Sequence, residues 1–205
     1  MNTLETIMKQ LNNKDALQQL GNSINAKPDD VKKVAELGIP ALMEALNRNT
    51  NTQEGAQSLA RALEQHQDDD VDDIASFLKN VDADDGAKII EHILGGKSSN
   101  VTSKLAKKAG MSSEQTRKLL IQFAPLLLGL LGKKKKEDNL DASGVSNLTS
   151  TLSSLLGASN NNSGSGSSLL NLASSLLDDD DDDNNSSSLG SILGGLGSLF
   201  GKKKK

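Results

Sequence analysis

Few side chains in this sequence could do chemistry, and their spacing decides what each could do. The two histidines, His66 and His92, are the only imidazoles. His66 precedes the run Asp68, Asp69 and Asp70, an arrangement that would hold a divalent ion only loosely without a second histidine close by. A surface role is the plainer reading of His66, and a helix-packing role that of His92. Asn80, Asp82, Asp84 and Glu91 occupy places 1, 3, 5 and 12 of a calcium-loop pattern, but the glycine falls at the seventh place instead of the sixth. Asp84 and Asp85 read better as a helix cap beside the positive end of the helix dipole. Gly95-Gly96-Lys97-Ser98 has the end of a phosphate loop, yet Glu91 stands where its first glycine belongs and a helix precedes it in place of a strand. The chain has no cysteine, tryptophan or tyrosine and three phenylalanines, which excludes disulfides, thiolate chemistry and aromatic base-stacking platforms. No serine-nucleophile elbow is present. The expectation is a protein that is not an enzyme and has no catalytic, cofactor or metal residues.

The sharpest local pattern is Leu105-Ala106-Lys107-Lys108-Ala109-Gly110-Met111-Ser112-Ser113-Glu114-Gln115-Thr116-Arg117-Lys118-Leu119. It has the order of a helix-turn-helix spanning 104–120: small Ala106 where helices cross, Gly110 at the turn, and Met111 facing inward. Lys104, Lys107, Lys108, Gln115, Arg117 and Lys118 are then the candidate contacts to nucleic acid or a partner. Thr116 breaks the pattern, because an inward aliphatic residue belongs there. Residues 97–136 hold ten basic side chains and one acidic, a local +9, whereas residues 1–96 hold nine basic and seventeen acidic, a local −8. Such a split favours head-to-tail pairing of copies.

The elements that must position these residues are helical. Apolar residues recur three and four apart, as at Ile74, Phe77, Leu78 and Val81 and at Ile89, Ile90, Ile93 and Leu94, and no stretch alternates as a strand does. Helix starts are expected at Pro28-Asp29-Asp30, Asn51-Thr52, Asp84-Asp85 and Ser112-Ser113, and stops at Gly21, Gly38 before Pro40, Gly95-Gly96, Gly110 and Gly132. About seven or eight short helices result. Leu119 to Leu131 is too short to span a membrane and reads as a core helix. Two echoes point to a pseudo-repeat. Leu20–Leu46 lies over Leu105–Leu131 at an offset of 85, aligning Lys33 with Lys118, Pro40 with Pro125, Leu42 with Leu127 and Leu46 with Leu131; Gly55-Ala56 and Gly86-Ala87 repeat at an offset of 31, placing glycines where helices approach closely.

The sequence is 205 residues long with a formal charge of −4, and its composition changes after Lys136. Residues 1–136 are expected to form an all-α domain; in 137–205, Ser, Asn and Gly supply 34 of 69 residues, which predicts a largely disordered low-complexity tail. Three amphipathic segments interrupt it: Val145–Leu156, Leu169–Leu177 and Leu189–Phe200, each too short to hold a helix alone in water. They would fold on a partner, a membrane surface or each other. Between them, Asn160–Ser168 and Asp178–Asp183 are expected to stay solvated. Gly190/Gly194, Gly197/Gly201 and Lys202–Lys205 would place the last segment on a membrane surface.

Ile39-Pro40-Ala41-Leu42, Gly55-Ala56-Gln57-Ser58-Leu59, Asp85-Gly86-Ala87-Lys88-Ile89-Ile90-Glu91-His92-Ile93-Leu94-Gly95 and Phe123-Ala124-Pro125-Leu126-Leu127-Leu128-Gly129 resemble, in order and spacing, the bacterial domain-of-unknown-function family DUF937, similar to the YidB-like proteins. The resemblance covers about residues 1–136. It implies a multihelical, cytoplasmic bacterial protein and assigns no reaction or functional residue. The first function expected is a structural or interaction protein that self-associates as a homo-oligomer or docks an unknown protein partner. DNA binding through 104–120 is the alternative, and association with a membrane surface through the tail a further one.

Overall fold

The computed structural model describes residues 14–158 and 169–178. Among these, every regular element is helical: α1 (Lys14–Ile24), α2 (Pro28–Asn49), α3 (Gln53–His66), α4 (Ile74–Lys79), α5 (Ala83–Leu94), a 3-10 turn (Gly95–Lys97), α6 (Ser98–Ala109), α7 (Ser113–Glu137), α8 (Ala142–Ala158) and α9 (Leu169–Leu177). The domain expected over 1–136 accounts for α1 to α7, in line with the all-α reading.

The starts follow the cap chemistry, with one shift. Thr52 accepts a bond from Gly55 N, and Ser112 forms a capping box with Gln115. At α5 the cap is Asp82, which accepts from the backbone N–H of Asp84 and Asp85 at 2.8 and 3.2 Å. Asp84 and Asp85 lie in the first turn, where their charge favours the dipole.

Three expected stops are not stops. α1 passes Gly21, α2 passes Gly38 and Pro40, and α7 passes Gly132. A proline inside a helix costs about 3 kcal/mol, but Ile39, Leu42 and Met43 around Pro40 are fully buried, and burying such side chains contributes about 1.5–3 kcal/mol each. Packing therefore outweighs the break. Gly132 serves a different end: a Cβ there would lie 2.6 Å from Leu63 O, so the glycine lets α3 rest on α7. Gly95 and Gly110, at φ of 57° and 74°, do end their helices.

The echo at offset 85 is a structural pseudo-repeat. All eleven buried residues of α2, from Val31 to Leu46, fall at that offset on buried residues of α7, from Thr116 to Leu131. The turns before the two long helices also match. Asn25 and Gly110 both take positive φ, and the bond Ala26 N to Gly21 O (2.8 Å) recurs as Met111 N to Ala106 O (3.0 Å). The correspondence continues beyond the hairpins: α3 and α5 pack on α7, and α8 and α9 pack on α2. Adding 85 to Ala83 at the head of α5 gives 168, one residue before the head of α9. Each unit thus lays its later helices on the long helix of the other.

Two of the three leucine-faced segments therefore find their partner inside the molecule. Val145, Leu152, Ala173, Leu176 and Leu177 are buried in the same core as Leu42 and Leu127, so the packed core extends past the compositional boundary at 136. The serines and threonines of α8 are bonded where they meet α2: Thr149 and Thr50 hydroxyls lie 3.1 Å apart, and Ser153 Oγ donates to Glu44 Oε2 at 2.6 Å. Leu189–Phe200, its glycine pairs, the Asn160–Ser168 linker, Asp179–Asp183 and Lys202–Lys205 lie outside the described residues.

Candidate functional site

The structure scatters the candidate contacts of the helix-turn-helix reading. Gly110 makes the turn, and Ala106 and Met111 face inward. Gln115, however, is committed to structure. Its Oε1 accepts from Ser112 N at 3.3 Å, and its Nε2 donates to Asn25 O at 2.8 Å and Ile24 O at 3.3 Å, tying α7 to the end of α1. Lys118 pairs with Glu114 at 2.8 Å, which holds the Glu114 carboxyl below its usual range. Lys104 donates to the carbonyls of Ser175 and Asp178 at the end of α9, and Lys97 donates to Leu177 O at 3.1 Å. Cations at a helix C-terminus satisfy its last carbonyls and oppose the negative end of its dipole. Arg48 completes this clasp, its Nη1 lying 2.8 Å from Asp178 Oδ1, a bond that raises the guanidinium above its ordinary value. Lys107, Lys108 and Arg117 remain exposed, with no ion-pair partner among the described residues.

Much of the charge split is also met within the chain. Lys133 pairs with Asp72, Lys135 with Glu64, and Lys136 with Asp68, so the basic end of α7 lies against the acidic residues in the last turn of α3 and just after it. Asp72 pushes the Lys133 ammonium above its ordinary value. The sequence showed both runs, but not that chain folding would bring them together.

A cleft of about 680 Å³ stays open between α3 and α5. Its floor is apolar, from Leu46, Leu59, Ile89, Ile93 and Leu128. Arg61, Lys88, Asp85 and the imidazoles of His66 and His92 form a polar rim, with Asn49, Ser58 and Gln65. Two glycines set the helices that bound it. A Cβ on Gly86 would lie 2.3 Å from Ile121 O, and one on Gly55 would lie 1.8 Å from Asn49 O, so α5 seats directly on α7 and α3 starts hard against the end of α2. Asn49 ties one end shut, its Nδ2 donating to Ile93 O at 3.0 Å.

Both histidines lie on this cleft, which their separation in sequence does not announce. His66 Nδ1 is 2.9 Å from Asp69 Oδ2, so the imidazole is oriented by a neighbouring carboxylate. His92 is exposed on the rim, and is not the packing residue that its apolar neighbours predict. The register explains this. Ile89 and Ile93 turn inward while His92, one position short of Ile93, points to solvent. Glu91 accepts from Ser98 Oγ at 2.8 Å and does not line the cleft, and Asp82, the third place of the calcium-loop pattern, is occupied as a cap. Among the described residues, no cluster of three metal-ligating side chains occurs. No helix there is long and apolar enough to cross a membrane.

The fold and the cleft define an all-helical protein with an internal pseudo-repeat and one unit left open. The chain belongs to the DUF937 family of bacterial proteins of unknown function, whose family model matches residues 5–134. No curated protein and no solved structure matches it.

Proposed function

We propose that this DUF937 protein is a non-enzymatic interaction protein that self-associates or docks a protein partner, with the cleft between α3 and α5 as its docking surface. One observation carries the reading. The second unit closes α8 and α9 against each other, whereas the first holds α3 and α5 apart around an apolar floor and a polar rim that carries Arg61 and Lys88. Partner surfaces combine such an apolar centre with a polar border. The basic 97–136 stretch is a poorer docking surface, because Lys104, Lys118, Lys133, Lys135 and Lys136 are already engaged.

Light scattering on the full chain, at rising concentration and at low and high salt, tests this. Association should be present in the parent and weakened at least tenfold by Arg61→Glu with Lys88→Glu, both at exposed positions. A chain that remains monomeric under every condition would reject self-association. DNA binding stands second, supported by the exposure of Lys107, Lys108 and Arg117 beside the Gly110 turn. It predicts affinity that falls steeply with salt and is lost in the triple alanine variant of those residues.

A further inference from the structure

We infer that the cleft between α3 and α5 is the seat of this chain's own C-terminal segment, Leu189–Phe200. This rests on the reading above that the cleft is a docking surface, and names its occupant. The first argument is where the tail leaves the core. Asp178, after the last turn of α9, is bonded to Arg48, and the next residue of α2, Asn49, closes one end of the cleft. The last described residue of the tail is thus bonded one position along α2 from a side chain that lines the cleft. From Asp179 to Ser188 the chain can span up to about 33 Å, ample for that distance.

Chemistry supplies the second argument. Asp178–Asp183 is six consecutive carboxylates, opposite in charge to Arg48, Lys97 and Lys104 at the end of α9 and to Arg61 and Lys88 on the rim. Behind them Leu189, Ile192, Leu193, Leu196, Leu199 and Phe200 recur at helical spacing, an apolar stripe for the apolar floor. The third is precedent within the molecule, since the two earlier leucine segments of the same tail already pack on the core. A short tether gives the segment a millimolar effective concentration in its own cleft. Exchange of it between copies then yields self-association by swapping.

The absence of cysteine makes the full chain a clean background for cross-linking. Ser58→Cys places a thiol on the cleft and Ser198→Cys one on the segment; Ser113→Cys, at the start of α7, is the control partner for Ser198→Cys. Under mild oxidation the 58/198 pair should close at least ten times faster than the 113/198 pair. Replacing Ile192, Leu193 and Leu196 by Asp should bring it down to the control rate, with circular dichroism reporting that the fold is kept. Equal rates for the two pairs overturn the inference. The electrophoretic mass separates it from the reading it rests on: fast closure within single chains, with no linked dimers at any concentration, keeps the occupant and removes self-association. Salt-sensitive oligomers without selective closure keep self-association and remove the occupant.

Discussion

The two units use one plan with different consequences. In both, a short helix turns through a residue of positive φ into a long helix with a proline at its centre, and that long helix carries the other unit's later helices. In the second unit the helices that follow, α8 and α9, are built from serine and leucine and pack together; in the first, α3 and α5 carry arginine, lysine and histidine and stay apart. Small hydroxyl side chains can be buried once bonded, as Thr149 and Ser153 are, whereas long charged ones must keep their heads in water. A repeated framework thus leaves one face closed and the other open.

The comparison would break most visibly at Phe123, whose counterpart at offset 85 is Gly38. Phe123 is fully buried, and a Cβ on Gly38 would meet the Leu120 methyl at 3.2 Å, so bulk comes from one unit only. Phe123→Ala should destabilise the protein by about 3–5 kcal/mol in urea unfolding followed by circular dichroism. The next test asks whether the tail helices share the core's cooperativity. Leu152→Ala, buried in the shared core, should lower stability by about 2–5 kcal/mol within a single transition. An unchanged midpoint would mean that α8 does not stabilise the rest.

Two smaller tests sharpen the match between the hairpins. Thr116 is fully buried with its hydroxyl unpartnered among the described residues, and its counterpart is the fully buried Val31. Thr116→Val should therefore raise stability by about 1–3 kcal/mol, since an orphaned buried hydroxyl costs roughly that much. Gly110→Ala should cost about 1–2 kcal/mol at its left-handed φ, and Gly110→Asn less, because Asn25 already occupies the equivalent turn.

The sequence made the helical fold legible because periodicity and caps are local, and it exposed the repeat through Pro40/Pro125 and Leu46/Leu131. The same local reading failed at Gly38, Pro40 and Gly132, where burial of long-range neighbours overrides a helix breaker. Composition marked the tail as a separate region and hid that Val145, Leu152 and Leu176 complete the core. The cleft was not legible at all. Arg61, His66, Lys88 and His92 come from two helices with α4 between them, and only packing on α7 sets those helices side by side. Gln115 shows the converse: a side chain that reads as an outward contact is drawn to Asn25 O, ninety residues back, to fasten one hairpin to the other.

The finest difference between the hairpins is electrostatic. In the second, Lys118 bonds Glu114 across one turn; in the first, the counterpart Lys33 pairs instead with Asp30, three residues before it. Because the Lys118 hydrogen bond lowers the Glu114 carboxyl below its unfolded value, protons bind the unfolded chain more readily there. The stabilisation is therefore present above the ordinary glutamate range near pH 4.5 and is lost as pH falls through the lowered value. Both side chains are exposed, so the effect is small and weakens with salt. Glu114→Gln should leave unfolding at low pH unchanged and lower the midpoint slightly at neutral pH and low salt. Equal midpoints for variant and parent across that range would show that this pair adds nothing to the hairpin that its counterpart lacks.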